Sequence, residues 1–386
     1  MTRATADVVV VGAGVTGCSI AWHLARLGVR DVVILEQLPA AGQGSTSKAN
    51  GGIRAQFSTA IHIAMSLYSI AAFERFGDET GGDCGLVQAG YLFVTATGAG
   101  ARSLRANFDL QQRLGVPSRW LDRDGIAAIA PYVRSDDLLA GTFSQRDGFI
   151  DPHGSTMGYL RAATAMGVAL CTDTEVLEVL RDDAGVTGVR TTGGAIATRC
   201  VVNAAGPHAG VLAQRAGTNL PLLPVRRMLA CTEAVEGAPM LIPMTVDLET
   251  GLLIRREGRG ILFAYSDPAD PPGFDTTFDP AFVGIVAEKA ATRFPFAAEA
   301  RVSPRHCWAG LYPETPDHHA ILGECPELKG FHLAVGFGGH GIMHAPATGR
   351  ALAESIVLGA CRFMDVTPLR PERFDEGDSI VETAVL

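Results

Sequence analysis

The apolar residues at the start of the chain follow two different periodicities. Residues 7–11 and 31–36 are continuous apolar runs rich in valine, whereas the apolar residues of 15–28 have helical spacing. Continuous apolar strands are typical of a parallel sheet that helices cover on both faces. The first 36 residues therefore predict a βαβ unit and an α/β fold.

The same patterns predict further elements along the chain. Helices are predicted near 61–76, 101–114, 155–166, 280–294 and 341–357. Strands are predicted near 91–95, 174–180, 185–191, 196–202, 301–308 and 331–335, with short alternating strands within 224–265. The acidic tail after Phe374 is predicted to be loosely held.

A change of pattern after Gly90 predicts two interleaved domains. We expect an α/β nucleotide-binding domain made of residues 1–90, 150–220 and 305–372. A mixed α+β substrate domain is expected to comprise residues 91–149 and 221–304, and residues 373–386 to form a C-terminal tail.

Three glycines between the first strand and the first helix form the pattern GxGxxG. Gly12 allows the tight turn, Gly14 lets a pyrophosphate approach the backbone, and Gly17 lets the helix pack closely on the strand. Glu36 ends the second strand, where its carboxylate can accept hydrogen bonds from ribose hydroxyls. The combination predicts a dinucleotide site, although the motif does not distinguish FAD from NAD.

Composition and charge narrow the class of function. A chain of 386 residues with 47% hydrophobic and 19% charged residues can form a large core. The net charge of -9 argues against nucleic acid and anionic membrane surfaces as partners. The N-terminus lacks the layout of a signal peptide, and no apolar run reaches the roughly 18 residues of a membrane span. We therefore expect a cytoplasmic protein without a transmembrane span.

Cysteine usage and the catalytic motifs that are missing exclude other classes. The eight cysteines are scattered and form no CxxC pair, as expected for a reduced protein without structural zinc. The sequence contains no HExxH motif, no nucleophile elbow and no metal-ligand cluster. We therefore expect no metal site.

Five motifs in order resemble the D-amino-acid oxidase (DAO) superfamily of FAD enzymes. They are GAGVTG, GSTSKANGGIR, NAAGP, TPD and GGHGIM, and the resemblance covers nearly the whole chain. It is closest to sarcosine oxidase/dehydrogenase β-subunit-like proteins, with proline dehydrogenase β-like and glycine oxidase-like enzymes nearby. The resemblance implies a Rossmann-like FAD-binding domain of the glutathione-reductase type, with an interleaved mixed α+β substrate domain.

The resemblance also assigns the residues that contact FAD. The first βαβ unit is expected to bind the ADP half, and the later loops to follow the pyrophosphate, the ribityl chain and the flavin edge. The residues that match these positions are Gly12, Gly14, Val15, Thr16, Gly17, Glu36, Gln37, Ser45, Thr46, Ser47, Ala49, Asn50, Gly51, Gly52, Val176, Ala205, Gly206, Gly310, Gly339, His340, Gly341, Ile342 and Met343.

Three positions depart from the sarcosine oxidase pattern. Covalent members have a cysteine where this chain has Gly310, so we expect FAD to be bound non-covalently. A lysine that holds the substrate carboxylate is replaced by Met343. A lysine that promotes reaction with oxygen falls near Leu262, which favours a dehydrogenase over an oxidase.

The family reaction implies a small-molecule amine or amino-acid substrate, a hydride transfer to the flavin, and an imine that hydrolyses in water. An amino-acid carboxylate needs a cation, for which Arg54 and Arg255 are the candidates. Tyr265 and His340 are further candidate catalytic residues, together with Met343 at the lysine position. Each also has a structural interpretation: Arg54 bracing its loop, Arg255 as a solvated turn charge, and Tyr265 at the edge of the core.

More distant candidates and alternatives remain open at this stage. His319 and His344 are possible site residues, Asp317 is expected to fix its turn, and Trp308 and Phe337 are possible pocket walls. The chain could instead be an FAD-dependent 2-hydroxy-acid dehydrogenase, a non-catalytic flavoprotein that assists assembly, or one subunit of a hetero-oligomer. The electron acceptor (oxygen, a quinone or an electron-transfer protein) and a homo- or hetero-oligomeric state are not determined by the sequence.

Overall fold

The computed structural model describes residues 4–298 and 300–384. The strands are β1 (Val8–Val11), β2 (Val32–Leu35), β3 (Gly52–Ile53), β4 (Tyr91–Thr95), β5 (Ser118–Leu121), β6 (Ala140–Ser144), β7 (Gly148–Phe149), β8 (Ala169–Cys171), β9 (Val176–Asp182), β10 (Gly185–Thr191), β11 (Gly194–Ala197), β12 (Val201–Asn203), β13 (Leu223–Cys231), β14 (Met244–Asp247), β15 (Leu253–Glu257), β16 (Gly260–Tyr265), β17 (Trp308–Glu314), β18 (Ile321–Glu324) and β19 (Phe331–Val335).

The helices lie between these strands and at the C-terminus. They are α1 (Val15–Arg26), α2 (Ala60–Glu74), α3 (Phe76–Thr80), α4 (Gly98–Arg113), α5 (Arg123–Ile129), α6 (Pro152–Ala165), α7 (Ala209–Arg215), α8 (Ala281–Arg293), α9 (Pro295–Ala298), α10 (Gly341–Leu358) and α11 (Arg373–Glu376). Short 3₁₀ turns occur at Ser45–Lys48, Gly206–His208, Pro304–His306 and Thr367–Leu369.

The predicted βαβ unit forms the centre of a six-stranded sheet. β1 lies between β2 and β12 and pairs with both in parallel, and the order of the sheet is β18-β19-β12-β1-β2-β8. Every residue of β1 and β2 is buried, because helices such as α1 and α10 cover one face of this sheet and β9–β11 with α7 the other. The α/β fold class predicted from the continuous apolar strands is confirmed.

A second, eight-stranded sheet carries most of the inserted sequence. Its order is β17-β13-β16-β15-β14-β4-β6-β5, and its pairs are antiparallel except for β14 with β4. One face of this sheet packs against α8 through Phe282 and Val286, which are fully buried. The mixed sheet with its helix matches the α+β character that the sequence predicts for the insertions.

The division into two domains stays a prediction. The strands of the eight-stranded sheet come from residues 91–144, 223–265 and 308–314. β17 therefore belongs to this sheet, although its residues fall within the last predicted nucleotide-binding segment.

Two predicted strands differ from the structure. The strand expected at 301–308 is wrong, because Pro304–His306 forms a 3₁₀ turn and β17 begins only at Trp308. Proline has no backbone N–H to donate to a ladder. The strand expected at 196–202 is two strands in different sheets, since β11 pairs with β10 whereas β12 pairs with β1 and β19.

The prediction that the C-terminal tail is loosely held is wrong for its last described residues. Glu382 is 0% exposed, and its backbone N–H donates to the carbonyl of Asp317 at 3.1 Å. Residues 375–381, which precede it, are all exposed. The tail is thus attached at its end, because a buried carboxylate finds hydrogen-bond donors there that no local pattern reveals.

No helix in the described part of the chain combines the length and the apolar character that a membrane crossing requires.

Candidate functional site

A long cavity begins at the carboxyl ends of β1 and β2 and reaches the N-terminus of α10. Its lining comes from the first βαβ unit, the loop before β3, β9, the segment after β12, β13, β17 and the loop before α10. The lining residues that were not predicted to contact FAD include Lys48, Thr174, Glu175, Pro207, His208, Arg215, Arg227, Leu229, Thr276 and Tyr312.

The glycine turn shapes one end of this cavity. Gly12 has φ +106°, and a Cβ there would lie 2.4 Å from the carbonyl oxygen of Ala204. A Cβ on Gly17 would lie 2.0 Å from the carbonyl oxygen of Gly12, so the helix can approach the strand only with glycine. α1 begins after Gly14 without a side-chain cap and without an acidic residue in its first turn. Its N-terminal N–H groups and dipole therefore suit an anion such as a pyrophosphate.

Glu36 is fixed at the end of β2, where it lines the cavity. Its Oε2 accepts a hydrogen bond from the Ala13 N–H at 2.9 Å, and its Oε1 accepts one from the Leu38 N–H at 2.9 Å. The carboxylate thus holds the glycine turn and remains beside the space that a ribose would occupy.

The loop at residues 45–47 connects the first helix to the second sheet. Thr46 Oγ1 accepts a hydrogen bond from the Val15 N–H at 3.2 Å, and Ser45 Oγ donates to the Leu311 carbonyl at 2.7 Å. Ser47 Oγ instead donates to the carbonyls of its own turn at Gln43 and Gly44. Ser45 and Thr46 line the cavity, whereas Ser47 does not.

Most of the residues predicted to contact FAD lie around this cavity. Those that line it are Gly12, Gly14, Val15, Thr16, Glu36, Gln37, Ser45, Thr46, Ala49, Asn50, Val176, Ala205, Gly206, Gly310, Gly339, Gly341 and Ile342. Those that do not line it are Gly17, Ser47, Gly51, Gly52, His340 and Met343. Individual contacts with FAD stay predictions.

Arg54 is a buried cation beside this region. It is 1% exposed, its Nη1 donates to the Gln56 carbonyl and its Nη2 to the Ala384 carbonyl, and its guanidinium lies 3.9 Å from the centre of the Phe57 ring. Its Nε has no hydrogen-bond partner among the described residues. Burial lowers the pKa of Arg54, while nearby groups such as Glu382 act in the opposite direction.

Four buried imidazoles form a histidine cluster, made of His62, His319, His340 and His344. The ring of His62 stacks on His319 at 4.2 Å and lies 5.2 Å from His340 and 4.9 Å from His344. Desolvation lowers the pKa of every member, that of His319 to about 4, so the imidazoles are uncharged at neutral pH. Phe57 separates this cluster from Arg54, since it also contacts His340 at 4.9 Å.

Glu382 brings the C-terminus into the histidine cluster. Its Oε2 accepts from Thr59 Oγ1 at 2.8 Å and lies 3.2 Å from His62 Nδ1. Its Oε1 accepts from the N–H groups of Ser58 at 2.9 Å and Ala384 at 2.8 Å, and from the Ser58 hydroxyl. These donors outweigh the cost of burial and hold the pKa of Glu382 well below its usual range.

Three atoms that can bind a metal meet at this point, although no metal site was expected from the sequence. The ligand atoms of His62, His319 and Glu382 all lie within 4.8 Å of one another. The oxygens of Glu382 already accept hydrogen bonds from five donors, and His319 Nε2 lies 3.0 Å from Thr59 Oγ1. These three residues are therefore already engaged in hydrogen bonds with the protein itself.

The remaining predicted catalytic residues lie elsewhere. Arg255 Nε donates to the Asn50 carbonyl at 2.9 Å and its Nη2 pairs with Glu257 at 2.6 Å, so it braces the loop that lines the cavity. Tyr265 faces α8, where Lys289 Nζ lies 4.0 Å from its ring. Met343 is 6% exposed and packs in the core around the first sheet. The structure thus places Arg54 and His340 in contact with the same ring, that of Phe57, whereas Arg255 and Tyr265 have other partners.

Some residues of the site were missed by sequence reasoning. His62 looks like one polar residue in an apolar helix, and Glu382 like one of several acids in an acidic tail. Tyr312 lies next to the TPD motif, and an added Cβ on Gly339 would lie 2.6 Å from its ring. For Tyr312 the adjacent motif was a usable signal, whereas His62 and Glu382 have no local one.

Comparison with known proteins defines the family. The model of the DAO family, described as FAD dependent oxidoreductase, matches residues 7–355. The chain belongs to this family. The resemblance expected from the five motifs is confirmed, and FAD is the cofactor of the protein. The start of α1 without an acidic residue, the glycine turn that excludes any Cβ, and Glu36 at the end of β2 fit the ADP half of FAD.

Curated relatives are similar over nearly the whole of this chain. The chain is 30% identical to human sarcosine dehydrogenase, mitochondrial, over 92% of its own length and 40% of that protein. It is 28% identical to the FAD-dependent oxidoreductase domain-containing protein 1 of Bos taurus, over 98% of this chain and 87% of that one. The chain therefore spans less than half the length of the sarcosine dehydrogenases that it matches.

Solved structures share the fold closely. The L-proline dehydrogenase from P. horikoshii is 28% identical with a TM-score of 0.91, over 98% of this chain and 100% of that one. The glycine oxidase from Geobacillus kaustophilus is 28% identical with a TM-score of 0.84, over 96% and 99%. These likenesses support the expected FAD-binding fold.

Proposed function

We propose that the protein oxidises the amine of a small amino acid, of the sarcosine, proline, glycine or D-amino-acid type, and that Arg54 binds the substrate carboxylate. The observation that carries this proposal is the buried guanidinium of Arg54. Among residues 4–298 and 300–384, no carboxylate oxygen lies within 4.0 Å of the Arg54 guanidinium, which is the limit for an ion pair, and Arg54 Nε has no hydrogen-bond partner.

A buried arginine without a counter-ion is costly unless a ligand supplies the negative charge. A carboxylate is the natural partner, because the planar guanidinium offers parallel N–H groups to both of its oxygens. The relatives named for sarcosine, proline and glycine act on substrates that carry such a carboxylate, which supports the same class here.

Bound FAD supplies the two-electron acceptor for the oxidation. Glu36 and the glycine turn of α1 hold its nucleotide half, while Gly339, Gly341 and Ile342 would hold the ring end at the start of α10. α10 begins without a side-chain cap and without acidic residues in its first turn, so its dipole favours negative charge at that place.

The histidine cluster keeps the amine side of the site free of fixed positive charge. The substrate amine must lose its proton before the oxidation, and uncharged imidazoles in a dry environment favour the neutral amine. We propose His340 as the member that accepts a hydrogen bond or proton, since its Nδ1 is buried and has no partner among the described residues. The imine that forms is then hydrolysed by water.

We propose a dehydrogenase with non-covalent FAD. Leu262 is fully buried in β16 at the place of the family's oxygen-activating lysine, and it packs on Leu229 of the cavity wall. Gly310 stands where covalent members have cysteine, and a Cβ there would lie 2.6 Å from the Cβ of Lys48. None of the residues lining the described cavity is a cysteine.

An anaerobic titration of the FAD-loaded protein tests the proposal. Sarcosine, proline, glycine, D-alanine and, as the rival class, 2-hydroxy acids are added while the visible flavin band is recorded. One of the amines is expected to bleach the band, and the imine product to appear as the corresponding carbonyl compound. Bleaching by a 2-hydroxy acid alone, or by none of the amines, overturns the proposal. If the protein is a dehydrogenase, a dye should reoxidise the reduced flavin much faster than oxygen does.

A further inference from the structure

The C-terminal segment is attached to the site by one buried residue. We call residues 378–384 the cap segment. Residues 375–381 are all exposed, and the side chains of Ile380 and Val381 are 56% and 53% exposed. Gly377, just before the segment, has φ +67° and ends α11. Asp378 is held by Arg370 and by the Arg373 carbonyl, whereas residues 379–381 are exposed, as expected of a stretch that can detach.

Glu382 acts as the latch of the cap segment. Its carboxylate is bound by the N–H and hydroxyl of Ser58, by Thr59 and by His62, all at or near the start of α2. The N–H of Thr383 donates to Ser58 Oγ at 2.9 Å. The N–H of Ala384 donates back to Glu382 at 2.8 Å, so residues 382–384 form one unit.

This unit places a backbone carbonyl on Arg54. The Ala384 oxygen accepts a hydrogen bond from Arg54 Nη2, while the Gln56 carbonyl accepts from Nη1. Both Nη atoms already donate hydrogen bonds, and Arg54 is 1% exposed. A substrate carboxylate therefore cannot bind the guanidinium with both of its oxygens while the cap segment is in place. The acceptor that Ala384 provides is neutral, and so it gives the guanidinium of Arg54 no direct ion pair.

We propose that the cap segment occupies the place of the substrate carboxylate and is displaced by it, so that Glu382 and Ala384 determine specificity for carboxylate-bearing amines. The inference rests on the proposed function of Arg54. A carboxylate displaces a carbonyl because it adds a negative charge opposite the guanidinium and offers two oxygens to parallel N–H groups. An amine without a carboxylate gains nothing from Arg54 and leaves the cap segment in place.

The latch also sets how tightly a carboxylate binds. A ligand that must first displace the cap segment has its affinity reduced by the fraction of molecules in which the segment is open. Glu382→Gln removes the negative charge that accepts the hydrogen bonds holding the cap segment in place. It should therefore raise the fraction of molecules in which the segment is open. Glu376→Gln is the matched control, since Glu376 is exposed and its carboxylate pairs with Arg370 rather than with the donors around Glu382.

The test uses the FAD-loaded full chain and acetate, a carboxylate that cannot be oxidised, with acetamide as its neutral counterpart. Amide hydrogen exchange of residues 379–384 is followed by mass spectrometry, and acetate affinity by the change in the flavin spectrum. Acetate is expected to speed exchange of the cap segment, acetamide to leave it unchanged, and Arg54→Met to abolish the response. In Glu382→Gln, acetate should bind roughly tenfold more tightly, and in Glu376→Gln as in the parent protein.

The two proposals fail in different ways. Unchanged or slower exchange with bound acetate, or weaker acetate binding in Glu382→Gln, overturns the role of the cap segment even when an amino acid bleaches the flavin. Faster exchange that depends on Arg54, in a protein that oxidises no amine, supports the cap segment and overturns the amine substrate. A variant that ends at Asp378 provides a second measurement, in which acetate should also bind more tightly.

Discussion

Arg373 and Asp317 form a buried ion pair that fixes the turn before β18. Arg373 Nε donates to Asp317 Oδ2 at 2.7 Å, and its Nη2 donates to Oδ1 at 3.1 Å and to the His319 carbonyl at 3.0 Å. Both residues are almost completely buried. The pair connects α11 to the turn that carries His319, and it gives Asp317 the turn-fixing role expected from the sequence.

Asp317→Asn should destabilise the protein by about 3–5 kcal/mol, because it leaves the charge of Arg373 buried and unpaired. The measurement is the free energy or midpoint of urea unfolding of the FAD-loaded protein. Asp375→Asn, at an exposed residue of the same helix, is the control and should change stability little. An unfolding midpoint for Asp317→Asn equal to that of the control would show that the ion pair contributes no net stability.

Gly17→Ala should prevent stable binding of FAD, because the added Cβ would lie 2.0 Å from the Gly12 carbonyl oxygen and must push α1 away from β1. The measurement is FAD content after purification, together with the melting temperature. Gly284→Ala is the control, since a Cβ there meets nothing within 4 Å and α8 should gain roughly 0.5–1 kcal/mol. Full FAD content in Gly17→Ala would contradict the close helix–strand contact.

Arg54→Met should raise the Michaelis constant for an amino-acid substrate by roughly 10- to 150-fold, the equivalent of a lost charged hydrogen bond of about 1.5–3 kcal/mol. FAD content should remain that of the parent protein, because Arg54 does not line the cofactor cavity. Steady-state kinetics with a dye acceptor measure the change. Arg119→Met, which removes an exposed arginine stacked on Phe143, is the matched control. An unchanged Michaelis constant would remove Arg54 from the carboxylate role.

Asp147 should make stability depend on pH. Burial raises its pKa to about 7, while its Oδ1 accepts from the Ala55 N–H at 3.1 Å and its Oδ2 from Gln56 Nε2 at 3.2 Å. The unfolded chain loses this proton near pH 3.9 and the folded chain near pH 7, so the contribution of Asp147 to stability falls as pH rises between these values. Above pH 7 the loss is complete.

Asp147→Asn remains neutral at every pH and should remove that part of the pH dependence. Melting temperatures of both proteins at pH 5 and pH 8 give the result. The melting temperature of the variant relative to the parent should be higher at pH 8 than at pH 5. Asp136→Asn, whose parent side chain is 78% exposed, should show no such trend. A variant that parallels the parent protein at both pH values would show that Asp147 is ionised throughout.

The arrangement around Arg54 depended on long-range contacts. Arg54 meets the Ala384 carbonyl across 330 positions of the sequence, and His62 meets Glu382 across 320. Neither contact can be recognised from the local sequence, because one acid among several in the tail has the same appearance whether it is solvated or buried. Only folding supplies the Ser58, Thr59 and His62 donors that make burial of Glu382 favourable.

The sequence by itself determined the βαβ unit, the glycine turn and the family. The first two depend on neighbours within about one helical turn or on steric rules for glycine, so residues 7–36 specify them locally, whereas the family follows from the order of five short motifs along the chain. The tertiary structure decided that Arg54 is closed off by the C-terminus, that His340 belongs to a histidine cluster, and that Arg255 braces the loop at Asn50. These outcomes depend on the removal of water and on partners that come from distant parts of the chain. Both act on a charged group only after the chain has folded.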